Sequence, residues 1–87
     1  MTAEQAGDMR ALIEQIAKAL VDAPDQVAVD AVDEDEATVL ELKVAADDLG
    51  KVIGKQGRTA AALRTLASTA GEREGKNVTL EIRDGRP

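Results

Sequence analysis

Residues 49–58 read Leu-Gly-Lys-Val-Ile-Gly-Lys-Gln-Gly-Arg, and no other stretch restricts the fold of this chain as much. Gly54 and Gly57 enclose Lys55 and Gln56, directly after the aliphatic pair Val52 and Ile53 and directly before Arg58. Glycine has no Cβ, so its backbone can enter φ > 0 and come close to other atoms. Helix-permissive residues lie on both sides. The pattern therefore predicts a tight Gly-x-x-Gly turn between two helices, presenting bare N–H groups and two long polar side chains. A phosphate backbone is the natural ligand of such a surface.

The 87 residues make one domain with a modest core. There is no Cys, which excludes disulfides and thiolate metal sites, and no His, which removes the usual general base. No metal, cofactor or catalytic constellation emerges, and no enzyme activity is expected. The first 20 residues lack a continuous apolar run, so no signal peptide is expected. No stretch approaches ~18 apolar residues, so no membrane span is expected. The absence of Cys fits a cytoplasmic protein. With no Phe, Tyr or Trp, the core must be Val, Leu, Ile, Ala and Met. The same absence excludes nucleic-acid modules that stack bases on aromatic rings.

The net charge of −6 argues against indiscriminate nucleic-acid binding, but it is unevenly spread. Residues 1–48 hold 3 basic and 13 acidic side chains, whereas residues 49–87 hold 8 basic and 4 acidic ones. Between Leu49 and Gly71 lie Lys51, Lys55, Arg58 and Arg64 and no acid.

Met9, Leu12, Ile13, Ile16 and Leu20 form one apolar helical face and predict a helix from about Asp8 to Asp22, with Asp8 as its N-cap or a first-turn acid and residues 1–7 frayed. Pro24 ends it. Strands are predicted over Gln26–Val32 and Thr38–Val44, joined as an antiparallel hairpin through the acidic turn at residues 33–36. A short helix over Ala45–Ile53, the glycine turn, and a second helix over Arg58–Ala70 follow, with Gly71 as its C′ residue. Val78–Arg83 alternates as a third strand, and residues 84–87 form a flexible tail. The order α-β-β-α-α-β places two helices between the second and third strands, which suits a parallel pair. A two-layer α+β domain with a three-stranded mixed sheet results.

Val52-Ile53-Gly54-Lys55-Gln56-Gly57 between two helices resembles the Ile-Gly-x-x-Gly signature of the KH domain. The element order resembles the type II KH arrangement. Over residues 8–83 the pattern is similar to the small single-KH bacterial RNA-binding proteins of the KhpA type. The resemblance implies a single-stranded RNA site, and a role as RNA chaperone or post-transcriptional regulator. It implies a loop of Gly54, Lys55, Gln56 and Gly57 that clamps about four nucleotides of backbone. Lys51 and Arg58 would flank the phosphate track, and Val52, Ile53, Thr59, Ala60 and Leu63 would form an aliphatic groove for bases. Relatives often carry a bulky aliphatic at the position of Thr59, so the implied groove is shallow. A homodimer, or a heterodimer with a larger KH-containing protein, is also implied. A protein-interaction subunit that binds RNA only weakly alone is the competing function.

Plainer readings of the same residues stay open. Val52, Ile53 and Leu63 equally fit a pure core role. Gly50 fits relief of helix packing, and Arg64 a solvated helix face. The acids at 33–36 fit a solvated turn, lacking the spacing and central Gly of a calcium loop. Gly50 to Lys55 is not a P-loop: three residues separate the glycines, and Gln56 stands where Ser or Thr would hold magnesium.

Overall fold

A computed structural model describes residues 3–85 of the chain, residues 3–8 by backbone only. Helix α1 spans Ala3–Leu20. It starts five residues before Asp8, which is therefore inside the helix, neither its N-cap nor a first-turn acid. Ala3, Glu4, Gln5 and Ala6 are strong helix formers, enough to carry the helix past Gly7. Its buried stripe is narrower than the apolar pattern. Ile13 and Ala17 are fully buried, Met9 and Ile16 pack partly, and Leu12 and Leu20 stay exposed. Residues 1–2 and 86–87, expected to be flexible, lie outside the described residues.

Pro24 opens a single 3-10 turn, Pro24–Gln26, closed by Val27 N–H donating to the Pro24 carbonyl at 3.2 Å. That turn delays the first strand, so β1 spans Ala28–Glu34, two residues beyond the predicted start. It pairs antiparallel with β2, Ala37–Val44. The chain reverses at Asp35, whose φ is 35°. Strand β3, Asn77–Asp84, pairs parallel with β2, and the sheet order β1-β2-β3 leaves β3 with a free edge.

Alternation sets which face is covered. Thr38, Leu40, Leu42 and Val44 of β2 are buried, and register aligns Leu42 with Val29 and Ile82. These rows meet Ile13, Ala17, Val52, Leu63 and Ala67 from the helices. The buried Thr38 hydroxyl donates to Asp33 Oδ1 at 2.7 Å, so its burial leaves no unpaired donor. The opposite sheet face carries ion pairs, Lys43 with Asp30 at 3.2 Å and Arg83 with Glu41 at 3.4 Å.

Between β2 and β3 the chain makes a 3-10 turn at Ala46–Asp48, helix α2 at Leu49–Ile53 and helix α3 at Arg58–Arg73. The predicted C′ glycine, Gly71, is instead a buried residue within α3. An added Cβ there would lie 2.5 Å from the Lys76 carbonyl oxygen and 2.6 Å from Val78 Cγ2. Gly71 therefore lets α3 lie close on β3. The left-handed residue that reverses the chain is Gly75, at φ 69°.

Candidate nucleic-acid interface

The glycine turn is built as a helix-to-helix joint. Gly54 N–H donates to the Gly50 carbonyl at 2.9 Å and closes α2. Gly54 then takes φ 78°, ψ 170°, a region essentially reserved for glycine. A Cβ on Gly54 would also collide with the Thr59 hydroxyl and lie 2.8 Å from Thr59 Cβ. Gly57 N–H donates to the Gly54 carbonyl at 3.0 Å, and Gln56 and Gly57 are both left-handed, at φ 57° and 73°. Gly57 is the N-cap of α3 and supplies no side chain to cap it. The first-turn N–H groups of a 16-residue helix are thus free of any side-chain cap. No acid lies in that turn, and Arg58 stands in it against the helix dipole. An anion seated at this end satisfies the donors and neutralises the misplaced charge.

Lys55, Gln56 and Arg58 are exposed. Arg58 Nη2 donates to Gln56 Oε1 at 2.9 Å, which aligns the two side chains. Lys55 meets no carboxylate among the described residues. Lys51 differs. Its ammonium lies 3.1 Å from Asp22 Oδ2 and 3.3 Å from Asp48 Oδ1, so it is engaged away from the expected phosphate track.

Those partners expose a joint the sequence did not reveal. Asp48 is buried, with Oδ1 and Oδ2 accepting the backbone N–H groups of Asp22 and Ala23 at 3.2 and 3.0 Å. One carboxylate thereby pins the end of the α1 connection to the start of α2. Burial pushes its pKa up, but the N–H groups of Asp22 and Ala23 and the Lys51 ammonium outweigh that and hold it below the ordinary value. Lys51 is correspondingly raised by hydrogen bonds to Asp22 and Asp48.

The expected aliphatic groove divides. Val52, Ala60 and Leu63 are 0%, 2% and 3% exposed, so they lie in the interior beneath the loop rather than on a groove surface. Ile53 is exposed, and Thr59 is half-buried under Gly54. Gly50 does not relieve packing, because an added Cβ would meet nothing within 4 Å. Arg64 is not freely solvated: its Nε donates to the Leu80 carbonyl at 3.4 Å on the edge strand. An open cavity of about 270 Å³ lined by Glu36, Glu72, Gly75, Lys76 and Asn77 sits at the other end of α3. Among the described residues no group of His, Cys, Asp or Glu could hold a metal ion, and no helix is long and apolar enough to cross a membrane.

A helix and hairpin leading into a parallel β2–β3 pair, with a Gly-x-x-Gly joint opening the second crossover helix, define a type II KH domain. A family model described as the KH domain of KhpA/KhpB matches residues 10–82. The chain is 54% identical over 74 residues to the RNA-binding protein KhpA of Clostridium acetobutylicum, covering 85% of this chain and 99% of that one. It is 50% identical over 76 residues to the KhpA of Halalkalibacterium halodurans, covering 87% and 100%. With the KhpA of Aquifex aeolicus the identity is 47% over 74 residues, covering 85% and 94%. No solved structure matches the chain. The chain belongs to the KhpA/KhpB KH-domain family.

Proposed function

We propose that the chain binds single-stranded RNA, gripping about four nucleotides of backbone at the loop Gly54-Lys55-Gln56-Gly57. The observation that carries this reading is the N-terminus of α3, which no side chain caps and which holds Arg58 instead of an acid. A phosphate there meets first-turn N–H groups that no side chain caps, the positive helix end, the Arg58 guanidinium and the neighbouring Lys55. Ile53 and Thr59 form the surface beside the loop, supported from below by Val52, Ala60 and Leu63. The name borne by the relatives, RNA-binding protein, supports the assignment.

The role is that of an RNA chaperone or post-transcriptional regulator in the cytoplasm, working by binding without catalysis or cofactor. Residues 8–83 form the working domain. One short site gives low affinity. Pairing with a second copy, or with a larger KH-containing protein, supplies a second site and raises the effective affinity.

The test is the double variant Lys55→Asp, Gln56→Asp titrated with labelled single-stranded RNA. A lost charge-assisted hydrogen bond is worth roughly 1.5–3 kcal/mol. Affinity therefore falls at least about tenfold, while thermal unfolding by circular dichroism stays near that of the parent. Unchanged affinity in the folded variant overturns the reading.

A further inference from the structure

Arg64 lies six residues beyond Arg58, about 9 Å further along α3. At 3.6 residues per turn it shares a helix face with Ala61 and Ser68, both exposed. Gly71, one further turn on, presses that side of the helix against β3. The seam between α3 and the free edge of β3 is thus a shelf floored by small side chains. Arg64 is the long side chain that stands in it. Its Nε reaches the carbonyl of Leu80, so that carbonyl faces away from β2, toward the open edge.

This contact orients the guanidinium. With Nε held on Leu80, Nη1 and Nη2 remain as two parallel donors with no acceptor between them. Among the described residues neither meets a carboxylate. A two-donor fork matches a base edge that carries two adjacent acceptors. Guanine offers O6 and N7, and cytosine offers O2 and N3 on its pairing edge. Adenine sets a donor beside each accessible acceptor there, and uracil alternates acceptor, donor, acceptor.

We infer that Arg64 is a specificity residue, reading a guanine or cytosine base on the α3–β3 shelf next to the phosphate clamp. The inference rests on the proposed RNA site and names which bases that site prefers. The loop supplies sequence-independent grip, and Arg64 supplies discrimination.

The experiment uses the whole chain and four labelled RNA octamers: all uridine, and uridine alternating with adenosine, guanosine or cytidine. A bidentate arginine–base pair discriminates by roughly fivefold or more. The parent chain is expected to bind the guanosine or cytidine octamer, or both, at least about fivefold more tightly than the other two. Replacing guanosine by 7-deazaguanosine, which lacks N7, separates the two sources: it abolishes a guanine preference and leaves a cytosine preference intact. Arg64→Lys keeps the charge and loses the fork. In that variant the preference collapses to within about twofold, while binding of the uridine octamer is retained. Arg64→Ala collapses it too.

Three results overturn the inference. The parent chain binds all four octamers equally, or Arg64→Lys retains the preference. Alternatively, both variants weaken all four octamers by the same factor, which makes Arg64 a phosphate contact only. Failure of the parent chain to bind any octamer would instead remove the RNA site itself and this inference with it.

Discussion

Alanine placed in turn at Gly54 and at Gly57 distinguishes two reasons for a glycine. At Gly57, φ 73° and ψ 14°, an added Cβ meets nothing within 4 Å. Alanine there carries left-handed strain alone, about 1–2 kcal/mol. At Gly54, φ 78° and ψ 170°, the backbone region itself costs a side chain about 1–3 kcal/mol. The new Cβ also lies 2.8 Å from Thr59 Cβ and 3.0 Å from Thr59 N, so the first turn of α3 must move. Strain and overpacking together place Gly54→Ala at roughly 2–4 kcal/mol. In a domain of this size each kcal/mol lowers the melting temperature by about 4–8 °C. Gly57→Ala should melt about 5–15 °C below the parent, and Gly54→Ala at least about 10 °C below it. Thr59→Ala should rescue Gly54→Ala only in part, because it removes the obstructing hydroxyl while Thr59 Cβ and N and the backbone strain remain. Circular dichroism is the assay, as the chain has no aromatic fluorophore. Equal melting temperatures for the two alanine variants, or full rescue of Gly54→Ala by Thr59→Ala, would refute this account of the turn.

RNA affinity should fall with rising salt, with a log–log slope near −0.7 per phosphate and about two to three phosphates engaged; a flat response in a salt series would remove the phosphate clamp. Gly71→Ala should destabilise by about 1–3 kcal/mol in urea unfolding, because its Cβ meets the Lys76 carbonyl; a neutral result would mean α3 and β3 are not so closely packed. In the folded chain the Asp48 pKa is held below the ordinary aspartate value of about 3.8, so its stabilisation is complete above about pH 4 and is lost as pH falls through the folded value. Urea midpoints measured from neutral to strongly acidic pH should therefore drop less on acidification in Asp48→Asn, whose midpoint is lower to begin with. Neutralising Asp35 and Glu36 to Asn and Gln should change RNA affinity less than about twofold at physiological salt; a larger gain would show that the hairpin acids reach the loop.

Much of the fold was legible because the informative signals were local. Leu40, Leu42 and Val44 alternate as a half-buried strand must, and the structure buries all three. Gly54 and Gly57 announced a helix-to-helix joint, and both have the positive φ that only glycine takes at little cost. What stayed hidden depends on distant partners. Nothing in the neighbourhood of Gly71 indicates that the Lys76 carbonyl will press on it, so a glycine near a helix end read as a cap. Nothing near Asp48 signals its role, because its N–H donors at Asp22 and Ala23 are some 25 residues away in the chain. Lys51 read as part of the basic run for the same reason. The helical period could not say that Val52 and Leu63 face inward at this joint while Ile53 stays out, since that depends on the angle at which α2 meets α3.

How an acidic chain can offer an anion site follows from where its charges are held. Asp22 and Asp48 neutralise Lys51, and Asp33 neutralises Lys76. Asp33, Glu36 and Glu72 gather at the C-terminal end of α3, as the Lys76 ion pair and the shared cavity show. The glycine loop is at its N-terminal end. Sixteen helical residues separate them, roughly 24 Å, or about three Debye lengths at physiological salt. The repulsion those acids would exert on a phosphate at the proposed site is therefore largely screened, while Lys55 and Arg58 would act on it at contact distance. The helix dipole adds to the same ordering: its negative end faces the acids, where Lys76 and Arg73 offset it, and its positive end faces the loop. For the proposed RNA site, the overall charge works against loose association along the rest of the surface and favours contact at the end of α3 that carries Lys55 and Arg58 and no acid.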